Sequence, residues 1–360
     1  MYNAFHPGQV WLDTKGERIH AHGGSVMFID GTYYWYGENK EKTDGLNGIW
    51  HWGVRCYTSK DLYNWEDKGL IIPPEPDDPD SPLNPKALLD RPHIIYNCDT
   101  KKYVCWLKIM NPKKNTQEST VLTADSILGP YTKVRVGLKP LNMSAGDFDL
   151  VVAEDGKAYY YFERVHSETI CADLTADYTD VTGYYTTHFP HKCPPFVREA
   201  TAHFKRGGRH YLITSGTTGY WPNPSEIAVG DSWHGPFKVM GDPHPGDASR
   251  TSYHSQVSSV FKVQGKKDLF IAVADRWCPD KMFLPYDVYA EAYEWTFDRD
   301  GAARDRWAEL RQIERDHGVP EEKVFKCNTS IADYVWLPFR FDVEMAYLDW
   351  KDEWKWEDYE

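Results

Sequence analysis

The sequence lacks any run of 18 apolar residues, so it predicts no transmembrane helix. It is also poor in positive charge, with 41 Lys and Arg against 54 Asp and Glu and a formal net charge of -13. That balance argues against nucleic acid or an anionic membrane as a partner, since both reward a basic patch. Residues 1–16 have neither a basic start nor an apolar core. We therefore expect a cytoplasmic protein, unless a leader has been removed.

Cysteine is scarce, and its pattern predicts no cross-linked or zinc-binding framework. The seven cysteines are odd in number and include no CxxC pair. We expect buried, reduced thiols. Cys98 and Cys105 flank a predicted turn and are a minor alternative for a disulfide.

A spacing of nine residues recurs five times along the chain. In each case an ionisable or amide side chain precedes a turn-forming Gly or Asp, and an aromatic strand-like run follows the turn. The five pairs are His22 and Gly31, Asp90 and Asp99, Asp147 and Gly156, Glu199 and Gly208, and Gln256 and Gly265. Equal phase in a repeat means equal position in space, so the sequence predicts an all-β, five-bladed β-propeller over residues 1–360 with these residues around its axis.

Three further features complete the predicted organisation. The phrases SKDLYNW, SILGPY, LTADY and DSWHGPF mark the outer turns of the blades. A charged helical insertion is expected over residues 299–322, with Trp307, Leu310 and Ile313 on one stripe of a surface helix. Residues 334–360 supply a closing strand and tail, which complete the final blade or pair with the N-terminal strand.

Carboxylates at the start of inner strands are costly to bury unless they are paired or functional. If Asp90, Asp147 and Glu199 share a cavity, repulsion should raise the pKa of at least one of them. Glu199 is our candidate for a general acid, and Asp147 would tune its pKa. The structural alternatives are that Asp147 caps a turn with Ser144 and that Asp90 pairs with Arg91 or Arg198.

Histidines and aromatics supply the remaining candidate contacts. His20 and His22 share a strand face and could ligate a metal, but no other ligand spacing supports one, so we expect hydrogen-bonding histidines on the channel wall. A sugar ring packs its apolar face on Trp or Tyr. The candidates are Trp50, Trp52, Tyr220 and Trp221.

With these residues in place, the chain resembles glycoside hydrolase family 43, and most closely its exo-β-1,3-galactanase branch. The phrases that carry the resemblance are HAHGG, YYWYGENK, DRPHIIYN, SAGDFDLVVAEDGKAYYYF, REATAHF, YLITSGTTGYWPN, SQVSSVF and ADRW. The resemblance implies that Glu199 is the catalytic acid and Asp147 its pKa modulator, with Gln256 where a base would be expected. It implies that Asp90, Glu38, His22 and Thr217 bind the sugar.

Inversion of configuration needs an acid and an activated water on opposite faces of the sugar. Gln256 could hold that water through its amide oxygen, although an amide is a poor base. A substrate hydroxyl or another carboxylate is the alternative. The chain departs from the branch in having Asp90 for Glu and Tyr220 for Trp, and in bringing Lys113 and Lys114 near the expected galactose position.

We expect an inverting exo-glycosidase acting on an oligo- or polysaccharide that contains galactose. The alternatives are an α-L-arabinofuranosidase or galactofuranosidase, and a non-catalytic glycan-binding propeller. Hydrolysis by carboxylates requires no cofactor. The resemblance allows a structural calcium, for which the sequence names no ligands.

Overall fold

The computed structural model describes residues 1–111 and 115–360. Its strands form five antiparallel sheets, arranged as the blades of a β-propeller. The innermost strands of neighbouring blades contact one another in a closed cycle, including the first and the last. The predicted fold is therefore confirmed.

Within each blade the strands follow chain order from the axis outwards. Blade 1 contains β1 (His22–Ile29), β2 (Thr32–Glu38), β3 (Val54–Ser59) and β4 (Glu66–Ile72). Blade 2 contains β5 (Leu88–Asn97), β6 (Lys102–Asn111), β7 (Thr116–Ala124) and β8 (Thr132–Leu138). Blade 3 contains β9 (Ala145–Val152), β10 (Ala158–Arg164), β11 (Glu168–Leu174) and β12 (Val181–His188). Blade 4 contains β13 (Arg198–Arg206), β14 (Arg209–Gly216), β15 (Glu226–Gly230) and β16 (Phe237–Gly241). Blade 5 contains β17 (Gln256–Lys262), β18 (Phe270–Arg276), β19 (Asp333–Tyr334), β20 (Leu337–Asp342) and β21 (Met345–Leu348).

The nine-residue spacing corresponds to the inner hairpin of each blade. Gly31, Gly156, Gly208 and Gly265 have φ values of 76°, 83°, 83° and 81°, the left-handed region that a tight turn requires. The four outer phrases lie between the third and fourth strands of blades 1 to 4, as predicted. Each phrase therefore forms the connection between the third strand of its blade and the outermost strand.

A helical insertion separates β18 from β19. Its helices are α1 (Tyr286–Phe297) and α2 (Trp307–Asp316), and it also contains short 3-10 turns at Pro279–Lys281, Glu321–Lys323 and Thr329–Ile331. Two further 3-10 turns, Pro140–Asn142 and Trp356–Asp358, lie outside the insertion. The predicted stripe of α2 is confirmed, because Leu310 is buried and Trp307 and Ile313 pack with it against α1. The predicted boundary at residue 299 was wrong for α1, which begins at Tyr286.

The expectation that all the cysteines are reduced thiols was wrong. Cys278 and Cys327 form a disulfide with a Cα separation of 5.8 Å. The remaining five cysteines are free, and of these Cys98 is exposed rather than buried. The sequence did not predict this disulfide, because its two cysteines are 49 residues apart. They meet because the insertion leaves and returns to the propeller at one point.

The ring closes through packing between blades 1 and 5, because no strand is shared between their sheets. The backbones of Phe5 and Trp354 form a bridge, so the tail pairs with the N-terminal segment while β20 and β21 complete blade 5. An aromatic cluster, here called the tryptophan seam, fills the junction. It is defined by the five indoles that contact another aromatic ring of the cluster, those of Trp11, Trp35, Trp65, Trp336 and Trp354, and Trp356 packs against it.

Candidate functional site

The five marked residues lie at the same end of the five inner strands. His22 and Gln256 begin β1 and β17, Glu199 is the second residue of β13, and Asp90 and Asp147 are the third residues of β5 and β9. The repeat thus places all five at one mouth of the central channel. Four of them face one cavity, and His22 does not.

A β-bulge accompanies each marked residue. The pairing register shifts between His22 and Ser25, between Asp90 and His93, between Glu199 and Ala202, and between Val257 and Ser259, and it shifts opposite Glu163 in blade 3. A bulge re-aims the side chains beside it. In every blade, the bulge therefore changes the direction of the side chains at this end of the inner strand.

The cavity has a volume of about 340 Å³, within the range of about 300–1,000 Å³ that is usual for small-molecule sites. Its wall combines carboxylates and cations with aromatic rings. The lining residues are Glu38, Trp50, Asp90, Arg91, Lys108, Met110, Gln117, Asp147, His166, Glu199, Thr217, Gly219, Tyr220, Gln256, Trp277, Tyr293 and Phe297. The predicted site residues Asp90, Asp147, Glu199, Gln256, Glu38, Thr217 and Tyr220 are therefore brought together.

Asp147 is held between two buried cations. Its Oδ2 lies 3.0 Å from Nη2 of Arg91, and its Oδ1 accepts a hydrogen bond of 2.7 Å from Nζ of Lys108. Burial alone would raise the pKa of Asp147, but Arg91 and Lys108 outweigh it and lower that pKa to about 2. The alternative in which Asp147 caps a turn with Ser144 does not hold, because the Ser144 hydroxyl accepts from the backbone N–H of Gln117.

Glu199 has the opposite electrostatic environment. Desolvation raises its pKa well above the usual range, and the negative charges of Asp147 and Glu163 add to the rise. Lys108 and Arg91 oppose it without reversing it. Two carboxyl groups in one cavity thus have pKa values that are pushed apart, which lets one donate a proton while the other stays ionised.

The amide of Gln256 is oriented by donors at its oxygen and acceptors at its nitrogen. Its Oε1 accepts from Nη2 of Arg91 at 2.5 Å and from Nε1 of Trp277 at 3.1 Å. Both donors lack acceptor capacity, so the amide cannot be flipped. Its Nε2 donates to Ser215 at 2.9 Å and lies 3.4 Å from Oε1 of Glu199. Both lone pairs of the amide oxygen are therefore in use.

Glu38, Asp90 and Trp50 form a second polar group in the cavity. Oδ1 of Asp90 accepts a 2.7 Å bond from Nε1 of Trp50, and its Oδ2 lies 3.5 Å from Nζ of Lys108. Asp90 therefore pairs with Lys108, and not with Arg91 or Arg198 as the structural alternative supposed. Burial raises the pKa of Glu38 to about 7, against the opposing charge of Lys40, which lies 2.6 Å away.

Aromatic rings close this part of the cavity. The rings of Trp50 and Tyr220 lie 5.7 Å apart, and those of Tyr220 and Trp277 lie 5.1 Å apart. Thr217 lines the cavity while its hydroxyl donates to the carbonyl of Val197 at 2.9 Å. Tyr220 is thus placed as the sequence predicted.

The structure contradicts the predicted wall position of His22. The side chain is fully buried, and its Nδ1 lies 2.9 Å from Oδ1 of Asp275. Its ring stacks on Tyr334 at 4.9 Å. The buried carboxylate of Asp275 on β18 binds the imidazole behind the cavity. Burial keeps the pKa of His22 well below its usual range.

Two of the predicted aromatic platforms also lie elsewhere. Trp52 lies outside the cavity lining, with Nζ of Lys42 over its ring at 3.6 Å, because residues 49–53 are not a strand and the two-residue alternation does not apply. Trp221 packs into the apolar core beneath the helical insertion. Trp50 occupies the cavity in their place.

Sequence reasoning did not identify several lining residues. Trp277 lies in the ADRW phrase and Arg91 in DRPHIIYN. Both residues were therefore within recognised motifs, although no place in the cavity wall was predicted for them. Lys108, His166, Tyr293 and Phe297 carry no repeat signal, because they come from a second strand, a loop and α1. Lys113 and Lys114 lie outside the described residues.

No metal centre or membrane-spanning helix is found within residues 1–111 and 115–360. No group of three or more His, Cys, Asp or Glu side chains there is placed to hold a metal ion. None of its helices is long and apolar enough to cross a bilayer.

Comparisons with known proteins agree with this geometry. A β-1,3-galactosidase of family GH43 superimposes with a TM-score of 0.76 at 28% identity, covering 99% of this chain and 65% of its own. A second, solved with galactodeoxynojirimycin, gives a TM-score of 0.75 at 26% identity and covers 98% of this chain and 100% of its own. An exo-β-1,3-galactanase from Phanerochaete chrysosporium, solved with galactose, gives 0.74 at 24% identity, covering 98% and 68%, and so shows the fold alone. No functionally curated protein matches the sequence.

The sequence also matches the family model described as glycosyl hydrolases family 43, over residues 20–278. The matched range contains all five inner strands and every marked residue. The chain therefore belongs to glycosyl hydrolase family 43.

Proposed function

We propose that this glycoside hydrolase is an inverting, exo-acting enzyme for galactose-containing glycans, most directly an exo-β-1,3-galactanase. The observation that carries the proposal is the pair of carboxyls in one cavity, Glu199 with a strongly raised pKa and Asp147 with a pKa lowered to about 2. Such separation assigns the acid and the ionised partner.

Glu199 donates its proton to the glycosidic oxygen as the bond from that oxygen to the anomeric carbon breaks. Asp147 stays ionised between Arg91 and Lys108, and its charge keeps Glu199 protonated near neutral pH. A water adds its oxygen to the opposite face of the anomeric carbon and gives up a proton, which inverts the configuration. The leaving sugar departs as a neutral alcohol.

Gln256 is not the proton acceptor for that water, which leaves another carboxylate or a substrate hydroxyl for that role. The amide oxygen of Gln256 already accepts from Arg91 and Trp277, so it has no lone pair for a water. Asp90 and Glu38 are the other carboxyls that line the cavity with Asp147 and Glu199. Gln256 instead positions the carboxyl of Glu199 through its amide N–H.

The shape of the cavity favours exo action. Trp50, Tyr220 and Trp277 pack against one another in the cavity wall beside Asp90, an arrangement that suits the end of a glycan chain better than a continuous polysaccharide. The relatives at 26% and 28% identity are β-1,3-galactosidases, and one of them was solved with a galactose-like inhibitor. Both facts support a terminal galactose in this cavity.

The test is a screen of β-1,3-galactobiose, α-L-arabinofuranosides and galactofuranosides, with the product anomer followed by NMR. We expect hydrolysis of the galactobiose with initial release of the α-anomer. Arabinofuranoside or galactofuranoside turnover alone would favour the alternative substrates, and retained configuration would contradict the mechanism.

The variant Glu199→Gln separates an enzyme from a binding propeller. We expect it to lose about 10²–10⁴-fold in kcat while its calorimetric affinity for galactobiose is kept. Glu154→Gln, at an exposed turn, is the matched control. A wild type that binds glycan and hydrolyses none of the substrates would refute the enzyme and leave the glycan-binding propeller.

A further inference from the structure

One wall of the cavity comes from outside the five inner strands. Tyr293 and Phe297 project from α1 of the helical insertion, one turn apart, and His166 comes from the loop between β10 and β11. The ring of Phe297 meets that of His166 edge-on at 5.2 Å. We call these three residues the insertion wall.

The insertion wall adjoins Glu199. Its three residues line the same cavity as Glu199, and an ionised Glu199 would add to the rise that burial causes in the pKa of Tyr293. Nδ1 of His166 lies 2.9 Å from Oε1 of Glu163, whose charge in turn acts on Glu199. Glu38, Trp50 and Asp90 belong to blades 1 and 2, whereas Glu163, His166 and Glu199 belong to blades 3 and 4. The cavity therefore has two differently built parts, one from blades 1 and 2 and one from blades 3 and 4 with the insertion, and Glu199 belongs to the second.

The two parts match the two sides of a glycosidic bond. A general acid contacts the oxygen that joins the terminal sugar to the leaving group. The closed, carboxylate-rich part with Glu38 and Asp90 suits the hydroxyls of a terminal sugar. The insertion wall, which lies in the other part of the cavity, must then contact the leaving group.

We propose that the insertion wall is the binding subsite for the leaving sugar, which takes a pyranose; this rests on the proposed function. Phe297 is 49% exposed and lines the cavity, as expected of a residue that receives the apolar C–H surface of a sugar. The second nitrogen of His166 and the hydroxyl of Tyr293 supply hydrogen bonds for its hydroxyls. The insertion thereby selects which glycosides are cleaved.

The insertion wall is held in place before substrate arrives. The ring of Tyr293 packs on Trp307 of α2 at 5.3 Å, and Lys192 pairs at 2.5 Å with Asp298 at the end of α1. The disulfide between Cys278 and Cys327 fixes the base of the insertion. A preorganised wall loses little conformational entropy on binding.

The test compares two substrates that share a glycone and differ in leaving group. β-1,3-Galactobiose releases a sugar, whereas β-D-galactopyranosyl fluoride releases a single atom that cannot reach the insertion wall. We expect Phe297→Ala to lower kcat/KM for the disaccharide about tenfold and that for the fluoride less than about twofold. Tyr293→Phe, which keeps the packing on Trp307, should show the same selectivity to a smaller extent.

The control is Trp295→Ala, an aromatic truncation on the same helix at a residue outside the cavity lining. It should leave both rates unchanged. Equal losses on both substrates, or no loss on either, would overturn the subsite while wild-type turnover upholds the proposed function. A wild type inactive on both would overturn the proposed function, and the subsite with it.

Discussion

The buried ion pair of Lys108 offers the sharpest test of the site's electrostatics. Its Nζ lies 2.7 Å from Oδ1 of Asp147 and 3.5 Å from Oδ2 of Asp90, and all three side chains are nearly buried. Lys108→Met keeps the length of the side chain and removes the charge. Because Asp147 then keeps Arg91 as its one cation and Asp90 loses its paired cation, we expect a loss of about 3–5 kcal/mol in the free energy of unfolding at pH 7.

The loss should depend on pH in a defined direction. In the wild type the pKa of Asp147 falls from 3.8 to about 2, so its contribution is present above pH 3.8 and is lost as the pH falls through 2. That difference corresponds to about 2.4 kcal/mol. In the variant burial is less opposed, so the pKa of Asp147 rises. The gap between wild type and variant should therefore narrow as the pH falls from 7 to 4.

Urea denaturation at several pH values measures both effects. Lys102→Met is the control on the same strand, because Nζ of Lys102 lies 2.5 Å from Asp125 in an exposed pair. Exposed pairs contribute about 0–1 kcal/mol. Equal losses in the two variants, or a gap that widens at low pH, would refute the reasoning.

Three further changes test other features. Glu163→Gln removes a charge that raises the pKa of Glu199, so the alkaline limb of kcat/KM should move to lower pH; an unmoved limb in the pH profile would contradict this. Ala200 has a φ of 49°, so Ala200→Val should destabilise by about 1–2 kcal/mol or more while Ala200→Gly is tolerated, and similar melting temperatures for the two would argue against strain there. Cys327→Ser removes the cross-link at the base of the insertion and should lower the free energy of unfolding by up to about 4 kcal/mol. Cys98→Ser, which replaces a free thiol, should not lower it, and equal denaturation midpoints for the two variants would show that the cross-link contributes nothing.

The fold was predictable because one physical feature repeats. A polar residue, a tight turn and an aromatic strand recur at equal phase, and each turn glycine has the predicted conformation. The same phase placed Asp90, Asp147, Glu199 and Gln256 around one cavity. Those four positions needed only the regular geometry of a strand and the symmetry of the blades.

The rest of the site depends on features that a repeat does not contain. A bulge is defined by the partner strand, so the sequence of β13 alone does not show that Ala200 is left-handed. The position of His22 depends on Asp275, which lies over 250 residues away. The aromatic residues of α1 are typical of a strand, which hid both the helix and the role of Phe297.

The tryptophan seam has a consequence for how opening of the ring can be observed. Five of the 15 tryptophans meet at the junction of blades 1 and 5, and the rings of Trp35 and Trp336 lie 4.6 Å apart. Indoles so close together couple electronically, so near-ultraviolet circular dichroism and intrinsic fluorescence are weighted towards this junction. Separation of the first and last blades would change those signals while each of the five sheets keeps its backbone hydrogen bonds. The protein thus carries its own optical probe of propeller closure.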